Sequence, residues 1–290
     1  MRVQLFAVTP EGPRALAVPE GLASAHELFD TLPLGVYSAL RTFQHDRFLG
    51  LEHHLERTDR SLELLGWPER LDRPVLTRAM DAAVRAYPEP DSFVRFDVLA
   101  GPARALGSEE RTLLALSPLV PVPPALLESG VTVRLSRLER ATPLVKSARF
   151  VLERRPYPLG RVEAFEHLLL GPDGRIREGS SSNFVALQGR RLRLAGDEAL
   201  QGVTQRVVAE LARAQGLTPE RAPVALDELA QLDEAFLTSS ARGLVPVVAV
   251  EEQRIGTGRP GARTQALRAA YLEHAARHAR RAVEPAPARA

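Results

Sequence analysis

Apolar and polar residues alternate in short runs along most of the chain, and the period of the pattern changes several times. Val3, Leu5 and Ala7 recur at every second position until Pro10, Glu11 and Gly12 break the run, which predicts a strand and a turn. A second strand is predicted from Gly35 to Phe43; Gln44–Arg47 turn it, and Phe48 and Leu49 resume it. The period then lengthens. Between Leu51 and Leu65, Leu55, Leu62 and Leu65 share one face with Thr58 while charged residues fill the rest, as an amphipathic helix requires. Gly66 ends that helix and Pro68 lies just beyond it. Leu71–Ala86 reads as a second amphipathic helix, and Phe93–Ala100 and Arg111–Ser117 as strands.

Pro118, Pro121, Pro123 and Pro124 make a short, stiff stretch that is the best candidate for a linker. It divides the chain into a smaller N-terminal α/β domain, residues 1–120, and a larger second domain, residues 121–282, with a Pro/Ala-rich tail at 283–290 that is expected to be disordered. In the second domain, strands are predicted at Val131–Leu135, Glu166–Leu170, Asn183–Leu187, Arg191–Leu194, Ala235–Thr238 and Val245–Val250. Helices are predicted at Thr204–Gln215, stopped by Gly216, and from Thr264 to Arg280. Strands and helices mix without strict βαβ alternation, so the expected class is α+β in two domains rather than a doubly wound sheet. No repeat with a period of tens of residues is visible.

Composition narrows the function classes. The 290 residues are 44% apolar and 26% charged, as in an ordinary globular protein, and a net charge of +2 gives no reason to expect a nucleic-acid partner. There is no cysteine, which excludes disulfides and thiol nucleophiles. No apolar run is long enough for a membrane-spanning helix, and the first residues lack a signal-peptide pattern, so a cytoplasmic location is expected. His53 and His54 are adjacent and face different ways on a helix; His274 and His278 are spaced i, i+4 but have no third ligand nearby in sequence, so no metal site is expected.

The 38 basic residues include one lysine, Lys146, and Asn183 is the only asparagine. Arginine replaces lysine well on a surface but cannot replace an amine that must lose its proton. A single retained lysine is therefore either a chance survivor or a reactive amine. Gly171, Pro172, Asp173 and Gly174 form a hairpin turn, and the six residues Glu178, Gly179, Ser180, Ser181, Ser182 and Asn183 follow shortly after it. A solvated serine loop fits poorly there, because strand-like apolar residues come next; a carboxylate so placed could hold a cationic ring nitrogen of a cofactor.

Lys146–Ser147, then Glu178–Phe184, then Gly202-Val203-Thr204-Gln205-Arg206 resemble the fold-type IV pyridoxal-phosphate enzymes, which include branched-chain aminotransferases, D-amino-acid aminotransferases and aminodeoxychorismate lyases. Gly35–Tyr37 with Leu40 and Arg41, Glu52–Arg57, Phe236–Ser240 with Val245–Val247, and Ile255–Gly261 match further family segments in the same order, from about residue 30 to 275. The resemblance implies the two-domain, α+β, D-amino-acid-aminotransferase-like architecture of fold type IV, with pyridoxal 5′-phosphate bound in the larger domain. It implies Lys146 as the Schiff-base lysine and Glu178 as the carboxylate at the pyridine nitrogen. It assigns the phosphate to Arg57, Val203, Thr204, Ser239 and Ser240. A phosphate carrying about two charges suits arginine, hydroxyls and helix N-terminal N–H groups. Read locally, Arg57 could equally be a helix-surface charge and Thr204 an ordinary N-cap.

Ser38 stands where the family often has an acidic residue, Pro156 and Pro158 fall where relatives usually have a helix, and Arg140 is the candidate for the cofactor's ring oxygen. The strand Asp91–Asp97 is similar to the "YIRP" strand of branched-chain enzymes, with Arg95 at its arginine; Ala100 before Gly101 disfavours a D-specific enzyme. Tyr37 and Arg95 are thus the candidates for substrate contact, and Tyr37 is as readily a core residue. The expected activity is transamination between an apolar or branched-chain L-amino acid and a 2-oxo acid, in a homodimer or multiple of dimers. The alternatives are elimination, as in aminodeoxychorismate lyase, and a non-catalytic cofactor-binding protein.

Overall fold

The computed structural model describes residues 3–18, 31–161 and 164–283. In chain order the elements are β1 (Gln4–Thr9), β2 (Gly12–Leu16), β3 (Val36–Phe43), β4 (Arg47–Phe48), α1 (Leu51–Leu64), α2 (Arg73–Ala86), β5 (Ser92–Val98), β6 (Thr112–Pro118), α3 (Pro124–Ser129), β7 (Val131–Ser136) and α4 (Arg149–Glu153). They continue as β8 (His167–Leu170), β9 (Ile176–Gly179), β10 (Asn183–Gln188), β11 (Arg191–Leu194), α5 (Val203–Ala214), β12 (Thr218–Arg221), β13 (Glu234–Ser239), β14 (Gly243–Val250), β15 (Gln253–Arg254), α6 (Ala262–His278) and β16 (Arg280–Arg281). Two compact units emerge. The first comprises Met1–Val120, Val145–Leu152 and His274–Ala290, and the second Pro121–Leu144 and Glu153–Glu273.

In the first unit one sheet runs in the order β16-β4-β3-β5-β6-β1-β2, and all its pairings are antiparallel. Successive residues of β3 face opposite ways. Val36 and Leu40 turn toward α1 and α2, where Leu55, Leu62, Leu76 and Met80 join Val94 and Phe96 in a buried core. Each fully buried side chain of this size contributes about 1.5–3 kcal/mol. Tyr37 points to the other face, against Ala148 and Val151. Helix α2 opens where Asp72 accepts a hydrogen bond from the Val75 N–H (3.0 Å), with proline in the first turn.

The second unit carries the order β12-β11-β10-β13-β14-β7-β8-β9, with β15 added beside β14. Pairs β11–β12, β14–β7 and β7–β8 are parallel; the others are antiparallel. Val131, Val133, Leu168, Ile176, Phe184, Leu237 and Val245 form its core. The Gly171–Gly174 turn closes the β8–β9 hairpin, with Gly174 at φ 71° and its N–H on the Gly171 carbonyl (3.0 Å).

The α+β class holds, and most predicted elements lie within one or two residues of their expected bounds. Residues 145–152 and His274 onward group with the first unit, whereas a division along the chain puts 145–152 and 274–282 with the second. The reason is backbone pairing: Ser147 bridges Val36, and Arg280 pairs with Phe48. Strand β12 has no counterpart in the sequence pattern, because Thr218–Arg221 lacks alternation and becomes a strand only by lying parallel to β11. Of the expected disordered tail, 284–290 lies outside the described residues.

Buried Arg193 donates to both carboxylate oxygens of Glu228, at 3.0 and 2.8 Å. Those hydrogen bonds, with one from the Ala225 N–H, hold the Glu228 carboxyl down at about 2. An unfolded glutamate titrates near about 4.3, so the unfolded chain binds more protons in this window. The pair's contribution is therefore complete above that value and is lost as pH falls toward about 2. In Glu228→Gln, the drop in urea-unfolding free energy between about pH 6 and about pH 3 should be smaller than in the wild type; an unchanged drop would show that the pair does not link folding to pH.

Candidate active site

In the first unit, Lys146 is held by its backbone. Its N–H donates to Ser61 Oγ (3.2 Å), its carbonyl accepts the Tyr37 N–H (3.0 Å), and the Ala148 N–H reaches the Gly35 carbonyl (2.8 Å). Ser61 in turn donates to the Arg57 carbonyl (2.8 Å), so the helix that carries Arg57 also carries the anchor of Lys146. The Lys146 amine lies 4.7 Å from the centroid of the Tyr37 ring, and the Arg95 guanidinium carbon 4.4 Å from it. The register puts Asp97 opposite Tyr37 and Arg95 opposite Ala39, all on one face of the β3–β5 pair. Arg95 is 1% exposed and grips Asp97 through two hydrogen bonds of 2.7 and 2.6 Å. Burial pushes the Asp97 carboxyl up, and the Arg95 charge only partly opposes that.

On the other face of β3, Arg57 Nη2 donates to Ser38 Oγ (3.0 Å), which shares a hydrogen bond with His54 Nδ1 (2.8 Å). His54 is fully buried. Burial first, then the charges of Arg57, Lys146 and His53, hold its imidazole well below the usual histidine range, which favours the neutral ring. Ser38, a departure from the family pattern in sequence, is the link between Arg57 and His54. Neither histidine nor serine can be assigned this part from spacing alone, since β3 and α1 meet only in the folded unit.

In the second unit, Glu178 sits on β9, 3% exposed, and accepts from Arg140 Nε at 2.8 Å. Arg140, the candidate for the cofactor's ring oxygen, thus lies beside the carboxylate assigned to the ring nitrogen. Asn183 explains its own singularity. Its Nδ2 donates to the Leu200 carbonyl (2.8 Å), while Oδ1 lies where a Cβ on Gly202 would be, 1.9 Å from that ideal position. The amide therefore ties the lead-in to α5 onto β10, where Asn183 is paired with Thr238 of β13. Ser239 and Ser240 follow directly, so the start of α5 and the end of β13 come to the same end of the sheet. Helix α5 begins after Gly202 with no side chain capping its first turn; Val203 and Thr204 are buried at its first two positions. Thr204 is therefore not an N-cap.

The predicted residues fall into two groups. Tyr37, Arg57, Arg95 and Lys146 come together in the first unit; Glu178, Val203, Thr204, Ser239 and Ser240 belong to the second. Residues that sequence reasoning missed include Ser38 and His54 as partners of Arg57, Asp97, Glu166 and Arg242. The alternation of β5 could have flagged Arg95 and Asp97 as sharing a face; nothing local flags Glu166 and Arg242, which lie far apart in the chain. His53, by contrast, is a half-exposed partner of Glu56 (3.1 Å), and His274 and His278 stack at 4.3 Å. Among the described residues no three or more metal-ligating side chains gather, and no helix is long and apolar enough to cross a membrane.

The chain has relatives among known proteins. The family described as amino-transferase class IV matches residues 35–250. A Thermotoga maritima protein named "Probable branched-chain-amino-acid aminotransferase" is 30% identical over 238 residues, covering 80% of this chain and 83% of its own length. The aminodeoxychorismate lyase of Bacillus subtilis is 26% identical over 255 residues, covering 82% and 84%. In fold, the chain is similar to the solved structure of "A hypothetical aminotransferase from Mycobacterium tuberculosis, PLP-bound form", with a TM-score of 0.71, 19% identity, and 94% of this chain and 98% of that one covered. With the family match spanning most of its length, this chain belongs to the class IV aminotransferases.

Proposed function

We propose that this protein transfers the amino group of an apolar or branched-chain L-amino acid to a 2-oxo acid with the help of pyridoxal 5′-phosphate. The observation that carries the reading is the anchoring of the chain's one lysine: a backbone pinned to β3 and α1, with the amine carried over the Tyr37 ring. The second unit's donor set fits the cofactor's phosphate. The first turn of α5 has no side-chain cap, so the N–H groups of Val203 and Thr204 suit an anion, and the hydroxyls of Thr204, Ser239 and Ser240 add donors of the right kind.

When bound, pyridoxal 5′-phosphate supplies an electron sink for the charge left as a proton leaves the substrate α-carbon. Lys146 Nζ would hold the cofactor and, as a free amine, would take up and return the proton of the substrate α-carbon. Glu178 keeps a proton on the ring nitrogen, and Arg140 orients that carboxylate. Arg57 balances the phosphate charge, itself oriented by Ser38 and His54. Tyr37 and Arg95 line the substrate side chain; because Asp97 compensates the Arg95 charge, the wall they make suits an apolar group. The reading includes a homodimeric, cytoplasmic enzyme. The cysteine-free sequence fits that location.

Borohydride treatment of the cofactor-loaded protein should fix the cofactor to the peptide containing Lys146, the only side-chain amine. Label elsewhere, or a protein that stays colourless with added cofactor, would overturn the reading. Lys146→Arg should bind without covalent attachment, because a guanidinium does not deprotonate. With L-leucine and 2-oxoglutarate, the wild-type absorption spectrum should cycle; pyruvate release with no amino acceptor would instead indicate the lyase.

Arg57→Ala should weaken cofactor affinity about 10–100-fold, the worth of a charge-assisted contact, as read by titration of the apo protein. Unchanged affinity would leave Arg57 with only its structural bond to Ser38. Light scattering should give twice the 31.7 kDa chain mass or a multiple of that; an active monomer would refute the dimer.

A further inference from the structure

Glu166, the residue before β8, is fully buried, and donors from three stretches of chain close around its two oxygens. Its Oε1 accepts from Ser180 Oγ (2.6 Å) and from the His167 N–H (3.0 Å). Its Oε2 accepts from Ser181 Oγ (2.5 Å), from Ser182 Oγ (3.0 Å) and from Arg242 Nη2 (2.9 Å). Arg242 also donates to Ser181 Oγ (2.6 Å), and its Nε and backbone N–H both lie 3.3 Å from Ser239 Oγ. Its guanidinium rests on the Phe165 ring, 5.3 Å from the centroid.

Three hydroxyls of the Glu178–Asn183 segment therefore converge on one carboxylate, and an arginine carries that carboxylate's influence on to the turn after β13. Gly179 makes the convergence possible: a Cβ there would lie 2.3 Å from Ser182 Oγ and 3.0 Å from Glu166 Cγ. Burial alone would push the Glu166 carboxyl up, but the Arg242 charge and the Ser180 and Ser181 hydroxyls outweigh it and hold the group below the usual range. It is thus a fixed negative charge whose acceptor sites are taken up by the protein itself. It therefore acts on a ligand only through what it positions.

We infer that Glu166, through Arg242, is a positioning residue for the phosphate-binding turn: it locks Ser239 and Ser240 at a set distance from the β9–β10 segment that carries Glu178. This rests on the functional reading above and goes beyond it in naming what holds the Ser239 hydroxyl, and the turn that carries Ser240, in place. A burden placed on phosphate rather than on the ring predicts selective damage.

The test compares pyridoxal 5′-phosphate with pyridoxal, which lacks the phosphate, as ligands of the apo forms of wild type, Glu166→Gln and Arg242→Met. Affinities are read by spectroscopic titration, and folding by circular dichroism. The expected result is a loss of about tenfold or more in affinity for the phosphorylated ligand in both variants, with pyridoxal bound as in wild type. Inorganic phosphate should likewise compete less well with the cofactor in the variants. Equal weakening of both ligands, or unchanged affinity for pyridoxal 5′-phosphate in a folded variant, overturns the inference. Should Glu166→Gln fail to fold, Arg242→Met decides alone, since it leaves the serine bonds of Glu166 intact. Wild-type protein that binds neither ligand would refute the functional reading itself and the inference with it.

Discussion

The placement of the Lys146 backbone depends on a handful of main-chain hydrogen bonds. Its N–H on Ser61, its carbonyl under the Tyr37 N–H and the Ala148–Gly35 bond set residues 146–148 antiparallel beside the start of β3. Each such bond adds only about 1 kcal/mol net to stability. Their larger effect is geometric, because a backbone held at both N–H and C=O fixes the direction of Cβ. The amine is then left on one face of the sheet with Tyr37, Arg95 and Asp97, while Ser61 couples the same segment to the helix bearing Arg57.

Buried charge follows one rule in both units: Arg95 is closed by Asp97, Glu178 is met by Arg140, and Glu166 by Arg242 and three hydroxyls. Such groups cost several kcal/mol each to desolvate, and a well-packed apolar replacement is commonly as stable or more so. Their presence therefore makes sense as geometry. A bidentate arginine–carboxylate pair has a preferred planar arrangement, which apolar packing lacks. In the first unit this gives Tyr37 a charge-compensated backing. In the second, one guanidinium nitrogen of Arg242 bonds both Glu166 and Ser181 and so ties the turn after β13 to the β9–β10 segment, two pieces of chain whose assigned roles require a fixed separation.

Much of this was legible in the sequence. The periodicity of Leu51–Leu65 and Leu71–Ala86 located α1 and α2, because burial of one helix face is written at i, i+3 and i+4. Glycine and proline punctuation located the ends of α1 and α5 and the hairpin at Gly171–Gly174. Family motifs singled out Lys146, Glu178, Asn183 and the Gly202–Arg206 segment, since residues adjacent in sequence must carry those contacts together. Strand β12 was not legible, because a polar edge strand owes its existence to the neighbour it pairs with. Tertiary structure alone decided that Lys146 belongs with the N-terminal sheet, that Ser38 and His54 support Arg57, and that Asp97 closes Arg95. It alone brought Glu166 to Arg242 across 76 positions of chain. The division has a physical cause. Local patterns record which face of an element is buried, whereas a side chain's partner across a sheet is set by strand order and register, which no short stretch of sequence contains.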